Sequence, residues 1–377
     1  MSKKVLFVAT VLRGHILVFH LPYMEWFQQQ GYEVHLCARN DTDEQQPQVP
    51  FCDRYVDMPF ERNPLSRGNL VLYKELKALI DEGDYSLIHC HTPVGGMLAR
   101  LCARQARQRG ARVVYTAHGF HFFTGAKPIN WLLYYPAERW LARYTDLLIT
   151  INREDYDRAC RFPARKVALV RGVGVDFARF EASTDRTVIR TSLGIPEAAP
   201  VVITVGEHIP RKNHETVLRA MALVEGAWLL LCGVGELTGK LEQLAQELGI
   251  THRTLFLGFR RDVPALLAAS DVFFFPSFQE GLPVSLMEAM AAGLPCVASA
   301  VRGSRDLIEE SQGGMLRPPL DAAGFALDIR KMLGNESLRR KMGLRNQSHI
   351  QAYGLAQVRE EMARLYQAQL DAPGREA

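Results

Sequence analysis

The sequence predicts an α/β protein made of two Rossmann-like domains that face a cleft. Three observations lead to this prediction. The chain has 377 residues, of which 47% are hydrophobic, and this length exceeds that of one ordinary domain. Short apolar runs alternate with helix-like periodicity in both halves, which favours parallel sheets covered by helices. A polar stretch with glycine and proline separates the two halves near residues 171–199.

The apolar runs place the strands in order along the chain. Predicted strands cover residues 5–9, 33–38, 87–91, 112–117 and 147–151 in the first half, and 201–206, 229–233, 254–258, 272–275 and 296–299 in the second. A last helical stretch covers residues 355–370. We therefore expect an N-terminal domain over residues 1–175, a linker over 176–199, a C-terminal domain over 200–354 and a final helical segment over 355–377.

Composition argues against several other classes of protein. The seven cysteines are scattered without a Cys-x-x-Cys pair, which indicates a reducing cytoplasm rather than a disulfide scaffold or a structural zinc site. No apolar run reaches the roughly 18 residues of a membrane span. The basic, apolar start of the chain lacks a clear cleavage site and therefore predicts a buried strand instead of a signal peptide. A net charge of +4 without a recognisable nucleic-acid-binding motif indicates no nucleic-acid partner.

Two glutamates, Glu280 and Glu288, are separated by seven residues in the second half. Glu280 follows a predicted strand in a loop bounded by glycine and proline, and Glu288 lies on a helix that begins near Pro283. The strand, loop, helix and next strand form a βαβ unit, whose ligands bind beyond the carboxyl ends of the strands. A helix N-terminus beside a carboxylate suits a phosphate and sugar hydroxyls. Either glutamate alone would be interpreted as an ordinary surface charge, and it is the surrounding strand, loop and helix that favour a binding site.

The segment of residues 271–318 that contains these glutamates resembles the donor-binding region of glycosyltransferase family 4. Three further motifs, His118-Gly-Phe-His121, Asn130-Trp-Leu-Leu-Tyr-Tyr135 and Asn152-Arg-Glu-Asp-Tyr156, are similar to the bacterial capsule and exopolysaccharide branch of that family. The resemblance implies the GT-B fold, retention of anomeric configuration and a nucleotide-sugar donor, with a UDP-sugar as the default. It also implies a polyprenyl-diphosphate-linked saccharide as acceptor and a last helix that crosses back to the first domain.

Candidate donor-binding residues in the second half follow from this resemblance. Arg211 and Lys212 precede a helix that starts near Asn213, where cations can approach phosphates, and the family places an adjacent basic pair on the donor diphosphate. The resemblance assigns the nucleotide to Glu288, Gly233 and Gly258, and the donor sugar to Glu280, Gly281, Leu282 and Pro283. Glu207 stands where many relatives have an arginine, and its role is left open.

The first half contributes further candidates. Gly14 follows the first strand, where the family has a glycine-containing loop near the donor phosphates, and a glycine lets the backbone approach a ligand closely. His118 follows a predicted strand, and a histidine at this place in similar enzymes contacts the transferred sugar, so His118 and Glu280 are the candidate catalytic residues. His89 and His91, with His118 and His121, leave a metal cluster as an alternative. Because no suitably spaced carboxylates accompany them, we expect metal-independent chemistry without a cofactor.

Alternatives remain at the level of motif and of function. Asp41-Thr-Asp43 resembles the metal-binding Asp-x-Asp of the other large glycosyltransferase fold, but it opens an acidic loop rich in glutamine and proline, which favours a solvated loop. A non-hydrolysing nucleotide-sugar epimerase and a catalytically silent sugar-nucleotide-binding subunit are the alternative functions. A Rossmann dehydrogenase is disfavoured because no Gly-x-Gly-x-x-Gly follows the first strand.

In a transferase, substrate binding is expected to close the domains and exclude water.

A basic stretch suggests a membrane partner. Residues 85–137 contain no aspartate or glutamate. A helix predicted over residues 96–109 would place Arg100, Arg104 and Arg107 on one face. That face is either solvated or, beside the aromatic residues of 131–140, suited to an anionic membrane surface or a lipid diphosphate. We therefore hypothesise that the N-terminal half contacts the inner face of the cell membrane. The sequence predicts no particular oligomeric state.

Overall fold

The computed structural model describes residues 3–61, 63–64, 66–180 and 185–373. The chain divides into two compact units. The first comprises Met1–Val173 and Val358–Ala377, and the second comprises Gly174–Gln357. Residues 181–184 of the expected linker and 374–377 of the expected final segment lie outside the described residues.

The first unit is a seven-stranded, fully parallel sheet in the order β3-β2-β1-β4-β5-β6-β7. Its strands are β1 (Lys4–Val11), β2 (Glu33–Arg39), β3 (Arg54–Asp57), β4 (Leu87–His91), β5 (Arg112–Ala117), β6 (Leu147–Thr150) and β7 (Lys166–Leu169). Its helices are α1 (Leu17–Phe19), α2 (Leu21–Gln29), α3 (Arg67–Gly83), α4 (Pro93–Cys102), α5 (Arg104–Gln108), α6 (Pro128–Leu141) and α7 (Arg153–Ala159), with a π-helical turn at Leu12–Ile16 and a 3-10 turn at Ala142–Tyr144.

Helices cover both faces of this sheet, and its central strands are therefore buried at almost every position. Along β1, Leu6 and Val8 belong to one core cluster, whereas Val5, Phe7 and Ala9 belong to the cluster on the opposite face. Alternate residues of a strand point to opposite faces, so both must be buried. The sequence reveals this as an uninterrupted hydrophobic run.

The second unit is a six-stranded parallel sheet in the order β10-β9-β8-β11-β12-β13. Its strands are β8 (Val201–Val205), β9 (Trp228–Cys232), β10 (Thr254–Gly258), β11 (Val272–Phe275), β12 (Cys296–Ser299) and β13 (Gly314–Arg317). Its helices are α8 (Arg186–Ser192), α9 (His214–Ala222), α10 (Thr238–Glu247), α11 (Val263–Ala268), α12 (Val284–Ala291), α13 (Arg302–Leu307), α14 (Ala322–Leu333) and α15 (Glu336–Ile350), with 3-10 turns at Phe177–Phe180, Pro210–Lys212, Thr251–Arg253 and Gln351–Tyr353.

The segment expected to be a linker, residues 176–199, differs from that description where it is described. It lies within the second unit and contains α8. Arg190 on this helix is buried, donates to the Ala269 carbonyl oxygen at 2.9 Å and pairs with Asp271 at 2.9 Å. These contacts make α8 part of a packed domain. The polar composition of this segment did not predict them.

The last helix, α16 (Leu355–Leu370), belongs to the first unit from Val358 onwards. Val358, Met362 and Tyr366 lie in the core cluster that contains Phe7. The Tyr366 hydroxyl and His89 Nδ1 are 2.8 Å apart, and Arg359 pairs with Glu25 at 2.8 Å. The first unit is therefore built from two stretches of chain that are far apart in sequence.

The prediction of one continuous helix with a basic face over residues 96–109 is wrong in two respects. The helix is interrupted at Ala103, between α4 and α5. Arg100 is buried and pairs with Glu138 at 2.9 Å, and Arg107 is buried and pairs with Asp146. Two of the three arginines therefore stabilise the fold internally and present no cationic surface.

Each sheet has one point where the strand order reverses. In the first unit it lies between β1 and β4, and in the second between β8 and β11. Open α/β sheets bind ligands at the carboxyl ends of the strands beside such a point. The segments that follow these strands contain most of the predicted site residues.

Candidate active site

A buried carboxylate organises the switch point of the second unit. Glu280 is 6% exposed, and its Oε1 atom accepts hydrogen bonds from Arg211 Nη1 at 2.8 Å, Lys212 Nζ at 2.8 Å and Ser277 Oγ at 2.7 Å. All three donors contact the same oxygen. Among the described residues, none donates a hydrogen bond to Glu280 Oε2. One side of the carboxylate is thus fixed by the protein and the other is available to a ligand.

The cations at this site outnumber the carboxylate that they contact. The Lys212 side chain is 13% exposed, and its Nζ lies 4.8 Å from the centre of the Phe275 ring. Burial lowers the pKa of Lys212, and the charge of Glu280 partly opposes that shift. The Arg211 side chain is 41% exposed. The charge of a second carboxylate, Glu207, also acts on Lys212. An ammonium and a guanidinium side by side are the groups that suit the binding of a diphosphate.

Three residues that sequence reasoning missed hold this cluster in place. Asn213 has a left-handed backbone (φ +57°) and donates from Nδ2 to the Pro276 and Pro319 carbonyl oxygens. Arg302 is buried and donates from Nε to the Glu280 carbonyl oxygen at 2.9 Å. The third, Ser277, carries a local signal, since its hydroxyl precedes Glu280 by three residues in a strand-end loop. Asn213 and Arg302 contact residues distant in sequence and give no such signal.

The residues after Glu280 start helix α12. Pro283 is the N-cap residue of this helix, and Leu282 is buried. Gly281 packs against α13, since a Cβ placed on Gly303 would lie 2.5 Å from the Gly281 carbonyl oxygen. These three residues position Glu280 at the start of a helix.

Glu288 is on α12 and has a partner that the sequence did not indicate. Its Oε1 atom lies 2.6 Å from Nη1 of Arg179. Burial raises the pKa of Glu288, and the guanidinium of Arg179 opposes this rise. The carboxylate that the resemblance assigns to the nucleotide is thus already paired with a half-exposed arginine.

Gly233 and Gly258 lie together at the ends of neighbouring strands. The Gly233 amide donates to the Gly258 carbonyl oxygen at 2.8 Å. A Cβ on Gly233 would lie 1.9 Å from the carbonyl oxygen of Gly206, which follows β8. The backbone segments at this edge approach one another too closely for a side chain, which explains the glycine at residue 233.

The Gly14 region differs from the expected open loop. Residues Leu12–Ile16 form a π-helical turn. Asp41 accepts hydrogen bonds from the amides of Arg13 at 2.5 Å and Gly14 at 3.3 Å. Asp41 therefore occupies amide donors that were predicted to approach a phosphate, and its side chain is only partly exposed. The expectation of a simply solvated loop missed this contact.

His118 lies in a group of histidines at the switch point of the first unit. Its Nε2 atom is 3.5 Å from Nδ1 of His91, and its ring is 4.6 Å from that of His15. Burial lowers the pKa of His118 well below its usual value, and the neighbouring His15 lowers it further. The neutral imidazole can offer a hydrogen bond or a lone pair at neutral pH. His121, in contrast, stacks on Tyr134 at 4.7 Å.

Thr92, at the end of β4, is a further residue of interest that the sequence did not reveal. Its φ angle is +62°, which is unusual for a β-branched residue and marks local strain. The Thr10 amide donates to Thr92 Oγ1 at 3.0 Å, and the hydroxyls of Thr10 and Thr92 are 2.6 Å apart. The ends of β1 and β4 are thus tied together by side chains.

An apolar cavity of about 620 Å³ opens beside this edge of the first unit. Gly14 and His15 contribute to its wall near the histidines, and Leu133 and Tyr134 contribute from α6. The cavity could hold an apolar or amphipathic molecule within reach of the strand ends.

Two parallel α/β units, one with a basic pair and a buried glutamate at its switch point, have the architecture of glycosyltransferases of the GT-B class. The family described as "Glycosyl transferases group 1" matches residues 185–349, and "Glycosyl transferase 4-like" matches residues 4–152. The chain is 40% identical over 98% of both chains to EpsD of Bacillus subtilis (strain 168), whose own assignment as a glycosyltransferase is provisional. This chain belongs to glycosyltransferase family 4.

Two further similarities extend the comparison. The chain is 31% identical, over 66% of its length and 68% of the other, to the UDP-Gal:alpha-D-GlcNAc-diphosphoundecaprenol alpha-1,3-galactosyltransferase of Escherichia coli. The structure of Anabaena Alr3699/HepE in complex with UDP and glucose aligns with a TM-score of 0.79 at 20% identity, covering 97% of this chain and 99% of that one. The predicted fold class and glycosyltransferase activity are thereby confirmed.

Within the described part of the chain, no helix combines the length and apolar character that crossing a bilayer requires. All seven cysteines are free thiols.

Proposed function

We propose that this enzyme transfers a sugar from a UDP-sugar to a hydroxyl of a polyprenyl-diphosphate-linked saccharide, with retention of configuration and without a metal, in the synthesis of a bacterial exopolysaccharide, a capsule or a related surface glycan. One observation carries the proposal: Arg211 and Lys212 converge on a single oxygen of buried Glu280. The UDP bound to the Anabaena neighbour and the lipid-linked acceptor named for the Escherichia coli relative support the choice of substrates.

The donor-site chemistry follows from the charges of this cluster. As the sugar leaves, negative charge develops on the diphosphate, and Arg211 and Lys212 stabilise it. Glu280 Oε2 accepts a hydrogen bond from a sugar hydroxyl, while Oε1 keeps the two cations in position. No protein nucleophile is assigned. The acceptor oxygen bonds to the anomeric carbon as the bond to the leaving phosphate breaks, and a phosphate oxygen of the leaving group takes the acceptor proton.

Nucleotide binding requires an exchange of partners at Glu288. The carboxylate of Glu288 can accept hydrogen bonds from the ribose hydroxyls only after Arg179 moves away or shares this carboxylate with them. The half-exposed Arg179 side chain can move without opening the core, because 45% of its surface faces solvent. Arg179 thereby becomes available to the diphosphate.

The first unit is proposed to bind the acceptor. The cavity beside Gly14 and His15 is apolar, as a polyprenyl chain or the apolar face of a sugar requires. Leu133 lines this cavity and also belongs to a stripe of exposed apolar side chains on α6, formed by Ile129, Leu132, Leu133 and Trp140. A lipid-linked acceptor could therefore pass from a membrane surface along α6 towards the histidines.

Donor binding is tested by thermal unfolding with a panel of nucleoside diphosphates and nucleotide sugars. A ligand that binds only the folded state raises the melting temperature. We expect a rise with UDP and one UDP-sugar, a loss of that rise in Lys212→Met, and its retention in Arg219→Met. Arg219 is an exposed arginine of the same unit, on α9. An equal rise in Lys212→Met would refute the assignment of the basic pair.

Turnover is tested by measuring UDP release with and without a lipid-linked saccharide. We expect release only with acceptor, and a fall in kcat/KM of about 100-fold or more in Lys212→Met, the usual effect of removing one preorganised electrostatic donor. Sugar-nucleotide isomerisation without acceptor would support the epimerase. Tight UDP binding without turnover across the acceptor panel would favour the silent subunit.

Peripheral membrane contact is proposed through α6, in place of the arginine face that the fold buries. The exposed apolar stripe is flanked by the exposed basic residues Lys127, Arg139 and Arg143. Apolar burial and attraction to anionic lipid act together on such a helix.

Vesicle co-sedimentation tests this contact. We expect binding to vesicles that contain phosphatidylglycerol, weaker binding to neutral vesicles, and loss of binding in the double variant Leu132→Gln/Leu133→Gln. The control is Leu327→Gln/Leu344→Gln, which alters two exposed leucines on helices of the second unit. Equal binding by both double variants would exclude α6 as the contact surface.

A further inference from the structure

Four histidines converge at the switch point of the first unit. His15 lies on the π-helical turn after β1, His20 immediately before α2, His91 at the end of β4, and His118 directly after β5. The rings of His20 and His91 stack with centres 3.8 Å apart, and those of His15 and His20 are 4.7 Å apart. Four separate segments of chain thus bring imidazoles to one place.

The nitrogen atoms have the spacing of a metal site. One ring nitrogen from each of these four residues lies within 4.8 Å of the other three. Two nitrogen-to-nitrogen distances are 3.1 Å, between Nε2 atoms of His15 and His20, and 3.5 Å, between His91 Nδ1 and His118 Nε2. Tetrahedral Zn²⁺ with Zn–N bonds of 2.0–2.1 Å separates its ligand nitrogens by about 3.3 Å. Small ring movements would be sufficient to reach that geometry.

The two most deeply buried rings of the cluster each keep one nitrogen without a protein partner. His20 and His91 are almost completely buried, and His20 Nδ1 and His91 Nε2, which are not the atoms of the two short distances above, have no hydrogen-bond partner. Buried polar atoms are normally satisfied, and leaving one without a partner costs about 1–3 kcal/mol. A fifth histidine, His89, is fully satisfied by Thr116 at 2.9 Å and Tyr366 at 2.8 Å. His89 therefore packs beside His91, with ring centres 4.0 Å apart, and is not counted as a ligand.

The ligand type determines which cation fits. Burial lowers the pKa of His15 to about 4 and lowers that of His20, His91 and His118 well below the usual value. The imidazoles are therefore neutral at pH 7, as metal coordination requires. Imidazole ligands favour Zn²⁺, Co²⁺, Ni²⁺ and Cu²⁺, whereas Mg²⁺, Ca²⁺ and Mn²⁺ prefer oxygen ligands.

We propose that His15, His20, His91 and His118 form a binding site for a divalent transition-metal ion, with Zn²⁺ as the natural occupant. The ion inhibits transfer, because coordination withdraws the His118 ring from the sugar that it would otherwise contact. The inhibitory part rests on the proposed function, whereas metal binding itself does not. The transfer reaction remains metal-independent, and the ion acts as a regulator.

Cobalt titration of the full-length, tag-free protein tests the site directly. Tetrahedral Co²⁺ absorbs visible light far more strongly than octahedral Co²⁺, so binding to four histidines produces an intense spectrum. We expect saturation at one Co²⁺ per chain and displacement by Zn²⁺ but not by Mg²⁺. A weak octahedral spectrum of the wild-type protein would overturn the proposal without the need for any variant.

Variants assign the spectrum to the cluster. His20→Asn and His91→Asn should lose it, whereas His252→Asn, which changes an exposed histidine of the second unit, should keep it. Metal-free thermal unfolding checks that each variant is folded. Zn²⁺ should also raise the melting temperature of the wild-type protein and of His252→Asn only. A tetrahedral spectrum that persists in folded His20→Asn and His91→Asn would place the ion elsewhere.

Activity measurements separate this proposal from the proposed function. With a working transfer assay, we expect Zn²⁺ to inhibit at the stoichiometry of the cobalt titration and a chelator to restore activity. Full activity with the metal site saturated would overturn the inhibitory role. A tetrahedral cobalt spectrum in a protein that transfers no sugar would leave the site intact and refute the transferase assignment.

Discussion

At the scale of single residues, Glu280 shows how one carboxylate can serve two partners. Lys212, Arg211 and Ser277 all donate to Oε1, so the cations are held by one oxygen and the other remains accessible. In the proposed function, a diphosphate approaches the basic pair without displacing Glu280, because the second carboxylate oxygen is not needed to hold the cations. The arrangement accounts for the order of the site.

His214 gives a pH dependence of stability that can be measured. Burial, together with the charges of the neighbouring His208 and Lys212, lowers the pKa of this residue from 6.5 to about 3. The unfolded chain therefore binds a proton between pH 6.5 and 3 that the folded chain does not bind. We predict that the free energy of unfolding is highest above pH 6.5 and loses roughly 4 kcal/mol from this group as the pH falls to 3.

Urea unfolding across this pH range tests the prediction. His214→Phe removes the titrating group and replaces a ring whose Nδ1 is buried without a partner, so its pH profile should be flatter than that of the wild type. His252→Asn, at an exposed histidine, should leave the profile unchanged. Parallel profiles for the wild type and His214→Phe would contradict the assignment.

Site residues that follow a strand and precede a helix could be predicted from the local sequence. Contacts between residues far apart in the sequence could not. Glu280, Arg211 and Lys212 stand at strand ends before helices, and the structure brings them together. The Gly14 amide, in contrast, is occupied by Asp41, which is 27 residues away. A motif predicts which groups approach an edge of a sheet, but it does not predict which of them already bind one another.

At the scale of elements, the arginines of α4 and α5 tie helices to the sheet. Arg107 makes two hydrogen bonds to Asp146, whose side chain is fully buried. We predict that Arg107→Met destabilises the protein by about 3–5 kcal/mol, because it leaves a buried charge without this partner. Arg109→Met should cost about 0–1 kcal/mol, since Arg109 is half exposed where it pairs with Asp81. Urea unfolding at neutral pH compares them, and equal losses would contradict burial of the Arg107 pair.

Two helical glycines provide a matched test of helix packing. A Cβ on Gly343 of α15 would lie 2.0 Å from the Gly293 carbonyl oxygen, whereas a Cβ on Gly239 of α10 would meet nothing within 4 Å. We predict that Gly343→Ala destabilises by about 1–3 kcal/mol through overpacking. Gly239→Ala should be neutral or stabilise by up to about 1 kcal/mol through helix propensity. A stabilised Gly343→Ala in chemical unfolding would show that α15 can shift away without cost.

The strands missed by sequence reasoning share a position in the fold. β3, β7 and β13 each lie at an edge of a sheet and are only partly buried. An edge strand has one neighbour and one exposed side, so it needs fewer apolar residues than a central strand. The central strands were predictable because burial on both faces leaves a mostly apolar run, such as residues 5–9 of β1.

At the scale of the whole molecule, the two units differ in how the chain builds them. The second unit is a continuous segment with its own core cluster, and it contains Arg211, Lys212, Glu280 and Glu288. The first unit requires residues from both ends of the chain, because Val358, Met362 and Tyr366 complete one of its core clusters. Removing one such buried side chain typically lowers the free energy of unfolding by about 2–5 kcal/mol. Loss of all three is comparable with the total stability of a domain, about 5–15 kcal/mol.

We therefore predict opposite behaviour for two isolated fragments. Residues 174–357 should unfold cooperatively and should be stabilised by UDP, since all of the proposed donor-binding residues except Gly14 lie within this fragment. Residues 1–173 alone should fail to unfold cooperatively. A permuted fragment that joins residues 358–373 through a flexible linker to residues 3–173 should recover cooperative unfolding, because it restores the contact of Tyr366 with His89 and the covered core. Circular dichroism during urea unfolding, with and without UDP, compares the three. Cooperative unfolding of residues 1–173 alone would show that α16 is dispensable to the first unit. A folded 174–357 fragment that does not respond to UDP would place essential nucleotide contacts outside that segment.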